Sequence, residues 1–212
     1  MALTSSLSPV LTTALAMVGF ALAGAITPGP VNVLALHHGS RGPRLPAFGY
    51  VLGASLSYAL IVACMGLFAA QLALALPRLA RTAQWLCAAY LLWLAWKLAS
   101  APADGGALAP GGGSLRPWRA FGQGVAVQTL NPKAWLFALS AVGVFALPPS
   151  PSVPYALAML CAVSLLACLV GVGCWALLGR ALVRWLGTPQ RTRLLHRALA
   201  AVLLASVLGM LA

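Results

Sequence analysis

The chain has 212 residues, of which 62% are hydrophobic and 7% charged, and its thirteen Lys and Arg stand against one acid, Asp104. Soluble domains carry roughly a quarter charged residues, so a water-soluble globule is excluded, and the length allows about six spans of ~20 residues with no room for a separate catalytic domain. The basic residues lie in short stretches between apolar runs, which excludes nucleic acid as a partner and fits topology signals and contacts to anionic lipid head groups.

The first apolar run covers 10–37, with no Lys or Arg before it. A secretory leader needs a basic start, so this run reads as a retained helix. It is longer than a straight span and is interrupted by Thr27-Pro28-Gly29-Pro30-Val31-Asn32. Proline has no backbone N–H and clashes with the preceding turn. Pro28 therefore frees the carbonyl of Gly24 and Pro30 that of Ile26, while Gly29 between them permits unusual dihedrals. In hydrocarbon each unpaired group costs several kcal/mol unless protein, water or a ligand satisfies it. Such a break belongs where it lines a cavity or is buried in protein. Proline also suits the first position of a new half-helix, whose N-terminus attracts anions such as a carboxylate.

The second run, 47–70, carries Gly49 and Gly53 in the GxxxG spacing that lets membrane helices approach closely. The third covers 83–99. A linker rich in Gly, Ala and Pro follows at 101–114 and divides the chain near its middle. The fourth run, 120–147, is again long and is interrupted by Gln128-Thr129-Leu130-Asn131-Pro132-Lys133. Pro132 frees the carbonyl of Gln128, and Asn131 can cap the half-helix that follows. Lys133 is the sharpest residue in the chain. A charge inside a span is expensive and usually faces a cavity or a partner, yet no Asp or Glu stands in any run to pair with it. A carbonyl, a water, a lipid head group or a substrate anion must take that place. The plainer alternatives are a Lys133 that snorkels to the head groups, and Thr27 and Thr129 that bond back to helix carbonyls. The fifth and sixth runs cover 154–178 and 195–212.

Other site chemistry is absent from the sequence. Cys64, Cys87, Cys161, Cys168 and Cys174 lie in apolar runs without a CxxC pair and read as small hydrophobes. His37, His38 and His196 have no metal-ligand spacing. There are no paired carboxylates in the spans, no GxxxxGK[ST] and no GxSxG, so neither an enzyme nor a metal or other cofactor is expected.

Ten basic residues fall in the first, third and fifth loops and two in the second and fourth. The positive-inside rule then places the odd loops in the cytoplasm and both termini outside. Three spans on each side of the linker make an odd-numbered unit, which inserts upside down when repeated. Helix 1 then corresponds to helix 4, and these are the two broken ones. Paired interruptions at corresponding positions of two inverted halves point to a transporter site.

The segments ITPGPVNVL near the end of helix 1, AAYLLWLAWK at 88–97 and FGQGVAVQTLNPKAWLFALS at 121–140, with Gly39, Gly42, Gly49 and Gly53 between the first two, resemble the LysE/RhtB amino-acid exporter family over nearly the whole chain. The resemblance implies a bacterial inner-membrane exporter of amino acids or related metabolites, driven by ion or electrical gradients. The sequence departs from many relatives where Val31 separates the PGP motif from Asn32 and where Ala95 stands in place of Gly. The lack of a membrane carboxylate argues against a carboxylate proton relay and against a strongly cationic substrate.

The expected fold is all-α and integral to the membrane: six transmembrane helices as two inverted three-helix repeats, with helices 1 and 4 broken. Residues 1–212 form one transmembrane domain, with halves 1–100 and 120–212 and a cytoplasmic linker at 101–119. The expected function is secondary active export across the bacterial inner membrane, with Thr27, Pro28, Gly29, Pro30, Asn32, Gln128, Asn131, Pro132 and Lys133 at the substrate site. The expected partners are an amino-acid-like small molecule and membrane lipids, and a homodimer is compatible with this reading. A non-transporting scaffold or accessory subunit would not need two aligned breaks. An efflux protein for another solute or ion would favour acidic or Cys/His-lined helices.

Overall fold

The structure, a computed structural model, describes residues 9–41, 44–68, part of 85–100, 116–146, 153–185 and 189–211. These hold seven helices: α1 (Pro9–Ile26), α2 (Pro30–Arg41), α3 (Arg44–Leu67), α4 (Pro117–Leu130), α5 (Pro132–Phe145), α6 (Val153–Trp185) and α7 (Pro189–Leu211). Further helical positions occur between 85 and 99, and no strand is present among the described residues. The linker at 101–114 lies outside the described residues.

Proline punctuates the architecture. Helices α2, α4 and α5 each begin on a proline that follows a non-helical residue, the position where a missing N–H costs nothing. The two expected breaks are both present: α1 and α2 are separate helices bent by 66°, and α4 and α5 are separated at Asn131. By length and composition α3 and α6 can cross a membrane, and α1 with α2 forms a third candidate span.

Two helices are longer than their apolar runs suggested. α6 continues to Trp185 rather than ending at 178, and its 33 residues measure about 50 Å against a hydrocarbon core of ~30 Å. α7 starts at Pro189 rather than 195, taking in Arg191 and Arg193. The added residues include Arg180, Leu182 and Arg184 in α6 and Arg191, Arg193 and Leu194 in α7, good helix formers that extend a helix past the apolar boundary.

Small residues bring the helices together. A Cβ on Gly49 would stand 2.6 Å from the Pro117 carbonyl oxygen and one on Gly53 2.2 Å from that of Phe121, while one on Gly124 would stand 2.3 Å from that of Tyr50. The GxxxG pair of α3 is therefore the seam on which α4 lies, in the close approach that drives membrane-helix association. A second seam joins α2 to α6, with Gly39 against Ala176 and Gly179 against Leu36. α6 also packs on α1, and α3 on α5, so α3 and α6 each brace both halves of a broken helix. Larger buried side chains, among them Tyr50, Met17, Leu34, Met65 and Leu160, fill the space between the seams.

Polar ties reinforce this packing. Ser57 Oγ pairs with Thr129 Oγ1 at 2.9 Å. The Tyr50 hydroxyl donates to the Val31 carbonyl at 3.0 Å, and the His38 ring stacks on Tyr50 while its Nε2 pairs with Gln123 Oε1 at 2.9 Å.

Candidate functional site

Several carbonyls at the first break are taken up by side chains from α2, α5 and α6. Asn32 Nδ2 donates to the Ala25 carbonyl at 2.8 Å and to the Thr27 carbonyl at 2.9 Å. Trp175 Nε1, from α6, donates to the Ile26 carbonyl at 3.0 Å, the carbonyl that Pro30 denies its helical partner. Thr27 Oγ1 bonds back to the Ala23 carbonyl. Lys133 Nζ reaches across from α5 and donates to the Thr27 carbonyl at 3.2 Å.

The second break is satisfied in a parallel way. Asn131 has φ −77° and ψ 107°, outside the helical region, and its backbone N–H donates to the Gln128 carbonyl, the group that Pro132 frees. Its side-chain oxygen accepts from the Lys133 N–H at 3.2 Å and so caps α5. Trp135 Nε1 donates to the Thr129 carbonyl at 2.7 Å. An indole N–H thus closes a carbonyl left open at each break. Thr129 does not bond back along its own helix as Thr27 does; its hydroxyl pairs with Ser57.

The breaks face one open cavity of about 40 Å³, lined by Gly24, Ala25, Thr27, Gly29, Val31, Asn32, Tyr58, Gln128, Asn131, Lys133, Ala134, Phe137, Cys168 and Val172. At ~10–15 Å³ of such volume per water, this conformation admits a few waters. Of the nine residues proposed from the sequence, Thr27, Gly29, Asn32, Gln128, Asn131 and Lys133 line the cavity, whereas Pro28, Pro30 and Pro132 do not. The prolines shape the backbone while their neighbours meet the space.

The cavity is electropositive on two counts. The N-termini of α2 and α5 both border it, through Gly29, Val31 and Asn32 on one side and Asn131, Lys133 and Ala134 on the other, and each end carries a partial positive charge. Lys133 adds a full charge. It is half-buried, meets the Thr27 carbonyl, and lies 5.6 Å from the Phe137 ring centroid, within cation–π range. Lysine has three donors, and these contacts leave some of them for another acceptor.

Sequence reasoning missed Tyr58, Phe137, Cys168 and Val172 as wall residues. A signal for Tyr58 was available, because tyrosine belongs at membrane interfaces and this one sits near the middle of α3. Phe137 follows Lys133 by one helical turn. Nothing in the sequence marks Cys168 or Val172, which reach the cavity through the packing of α6.

The "Cysteine/O-acetylserine efflux protein" of Salmonella paratyphi A is 32% identical to this chain over 166 residues, 76% of this chain and 78% of that protein. The protein of the same description from Escherichia coli (strain K12) is 32% identical over 165 residues, 76% of this chain and 78% of its own length. No solved structure matches the chain significantly. The profile of the LysE type translocator family matches residues 22–211, spanning both breaks and the cavity between them. The chain belongs to the LysE type translocator family, whose members are transporters rather than enzymes.

Proposed function

We propose that this protein is a secondary active exporter of amino acids or related small metabolites across the bacterial inner membrane. The observation that carries the reading is the contact from Lys133 Nζ to the Thr27 carbonyl, which joins the two breaks over a shared cavity. Lys133 and the N-termini of α2 and α5 receive the substrate carboxylate. Asn32, Gln128, Asn131 and the Thr27 carbonyl receive its ammonium group. Thr27 and Gly29 shape the wall, and Pro28, Pro30 and Pro132 keep the two helices open there. With no carboxylate in any span, Lys133 is also the candidate proton-coupling group. Export by ion or electrical gradients fits the lack of a nucleotide-binding loop. The cysteine and O-acetylserine named for the relatives are small amino acids of the kind this site suits.

The fold that fits this function is a single domain of six spans in two inverted halves, joined by a cytoplasmic linker, with both termini outside. The bracing of the broken helices supports it: α3 packs on α4 and α5, and α6 packs on α1 and α2, as an inverted repeat would have it. Large exposed hydrophobics such as Leu60, Leu166 and Leu177 form the surface that lipid, or a second copy in a homodimer, covers.

The test is counterflow of labelled amino acids in proteoliposomes containing the purified protein, screened as a panel. Accelerated exchange of at least one small amino acid over protein-free liposomes is expected. A flat panel under both proton and potential gradients would refute the reading.

A further inference from the structure

Most polar groups at the cavity are already engaged. Asn32 holds two carbonyls, Asn131 caps α5, and Lys133 is tied to Thr27. Tyr58 and Gln128 differ. Tyr58 is 7% exposed and Gln128 6%; both line the cavity, and no protein hydrogen bond to the phenol or the side-chain amide is seen among the described residues. Neither polar end is sealed off in protein, so both open to the cavity, where water or a ligand can pair them. Tyr50, on the same helix, shows the ordinary solution, donating to the Val31 carbonyl.

The two residues stand at one level of the bundle. Ser57 and Thr129, their immediate neighbours in sequence, are joined hydroxyl to hydroxyl at 2.9 Å. That bond fixes the height of α3 against α4 where Tyr58 and Gln128 turn to the cavity. Together they present a neutral wall with a hydroxyl donor, an amide donor and two acceptors. This is chemistry for an uncharged hydrogen-bonding group, in contrast to the cationic wall at Lys133.

We propose that Tyr58, acting with Gln128, is the specificity-determining element of the site and selects solutes whose small side chain carries a hydroxyl or similar hydrogen-bonding group. The proposal rests on the export reading above and adds which part of the solute is discriminated; Gln128 serves both, its amide oxygen receiving the ammonium group and its NH2 facing the side-chain group. The carboxylate is common to all amino acids and is held at Lys133, so it cannot discriminate. A site with buried polar groups disfavours an apolar isostere because those groups are left unpaired when it binds.

The test is counterflow in proteoliposomes with two near-isosteric pairs, L-serine against L-alanine and L-threonine against L-valine. Wild type is expected to favour the hydroxylated member of each pair. Tyr58→Phe, which removes one oxygen, is expected to cut the serine-over-alanine ratio of kcat/KM about tenfold, the size of one buried hydrogen bond. Gln128→Met, which removes both contacts, is expected to lower this ratio and the overall rate, whereas Lys133→Met lowers both solutes together without moving the ratio. A wild type with no preference within either pair overturns the proposal, as does a Tyr58→Phe ratio equal to wild type. Loss of folding in Tyr58→Phe, seen by size-exclusion chromatography and thermal melting, also overturns it, since the hydroxyl would then hold the fold. If wild type carries none of the panel, the export reading itself fails; if transport is intact and the ratios do not move, only this inference fails.

Discussion

Replacing Asn32 with Ala removes a side chain that ties α2 to the end of α1 across the first break. Its amide nitrogen donates to the Ala25 and Thr27 carbonyls at 2.8 and 2.9 Å, and the residue is 5% exposed, so only water held in the cavity can replace it. Side-chain hydrogen bonds in membrane proteins average about 0.6 kcal/mol and reach about 1.7, so losing the pair costs roughly 1–2 kcal/mol. For a chain of this length each kcal/mol moves the melting point by ~2–4 °C, giving a fall of about 3–6 °C in detergent micelles. Ser140→Ala is the control, since the exposed Ser140 hydroxyl only bonds back to the Leu136 carbonyl, and it should shift melting by less than ~1 °C. Transport should fall further than stability, because Thr27 then keeps Lys133 as its side-chain donor while the cavity wall loses its shape. Asn32→Ala that melts with Ser140→Ala and exchanges substrate at the wild-type rate would refute this reasoning.

Lys133→Met is expected to reduce counterflow at least tenfold with a raised KM, while Lys133→Arg restores uptake but alters its pH dependence; wild-type rate and pH profile in Lys133→Met would reduce the residue to an anchor. Gly53→Ala places a Cβ 2.2 Å from the Phe121 carbonyl oxygen, whereas one at Gly122 meets nothing within 4 Å. Overpacking of this kind costs about 1–3 kcal/mol, so Gly53→Ala should lower the melting point and Gly122→Ala should not. Trp175→Phe removes the indole donor from the Ile26 carbonyl and is expected to lower transport with a loss of about 0.6–1.7 kcal/mol in stability; equal transport and melting would show that water serves that carbonyl as well. A reporter fused after Ala212 should be active only outside the cytoplasm, and cytoplasmic activity would remove the inverted-repeat topology.

The positions of the breaks were legible because their cause is local. Proline cannot donate to the residue four before it, so Pro30 and Pro132 name Ile26 and Gln128 as the carbonyls to be satisfied without reference to the rest of the fold. The capping role of Asn131 was readable for the same reason, and so was the conflict at Lys133, a charge with no acid in any span. The close approach of α3 through Gly49 and Gly53 was readable as a property of the helix, but not its partner.

What the sequence alone determined is a chain solvated by lipid, with two interrupted helices and an uncompensated lysine at one interruption. Which groups meet across the bundle was decided by tertiary structure, because it depends on how glycine seams set the register between helices far apart in sequence. That register brings Lys133 to Thr27, Trp175 to Ile26 and Ser57 to Thr129. It also brings Tyr58, not singled out from the sequence, and Cys168, read there as a small hydrophobe, into the cavity wall. Backbone hydrogen-bond deficits follow from residue identity at fixed offsets; the partners that fill them follow from three-dimensional packing, which no single segment encodes.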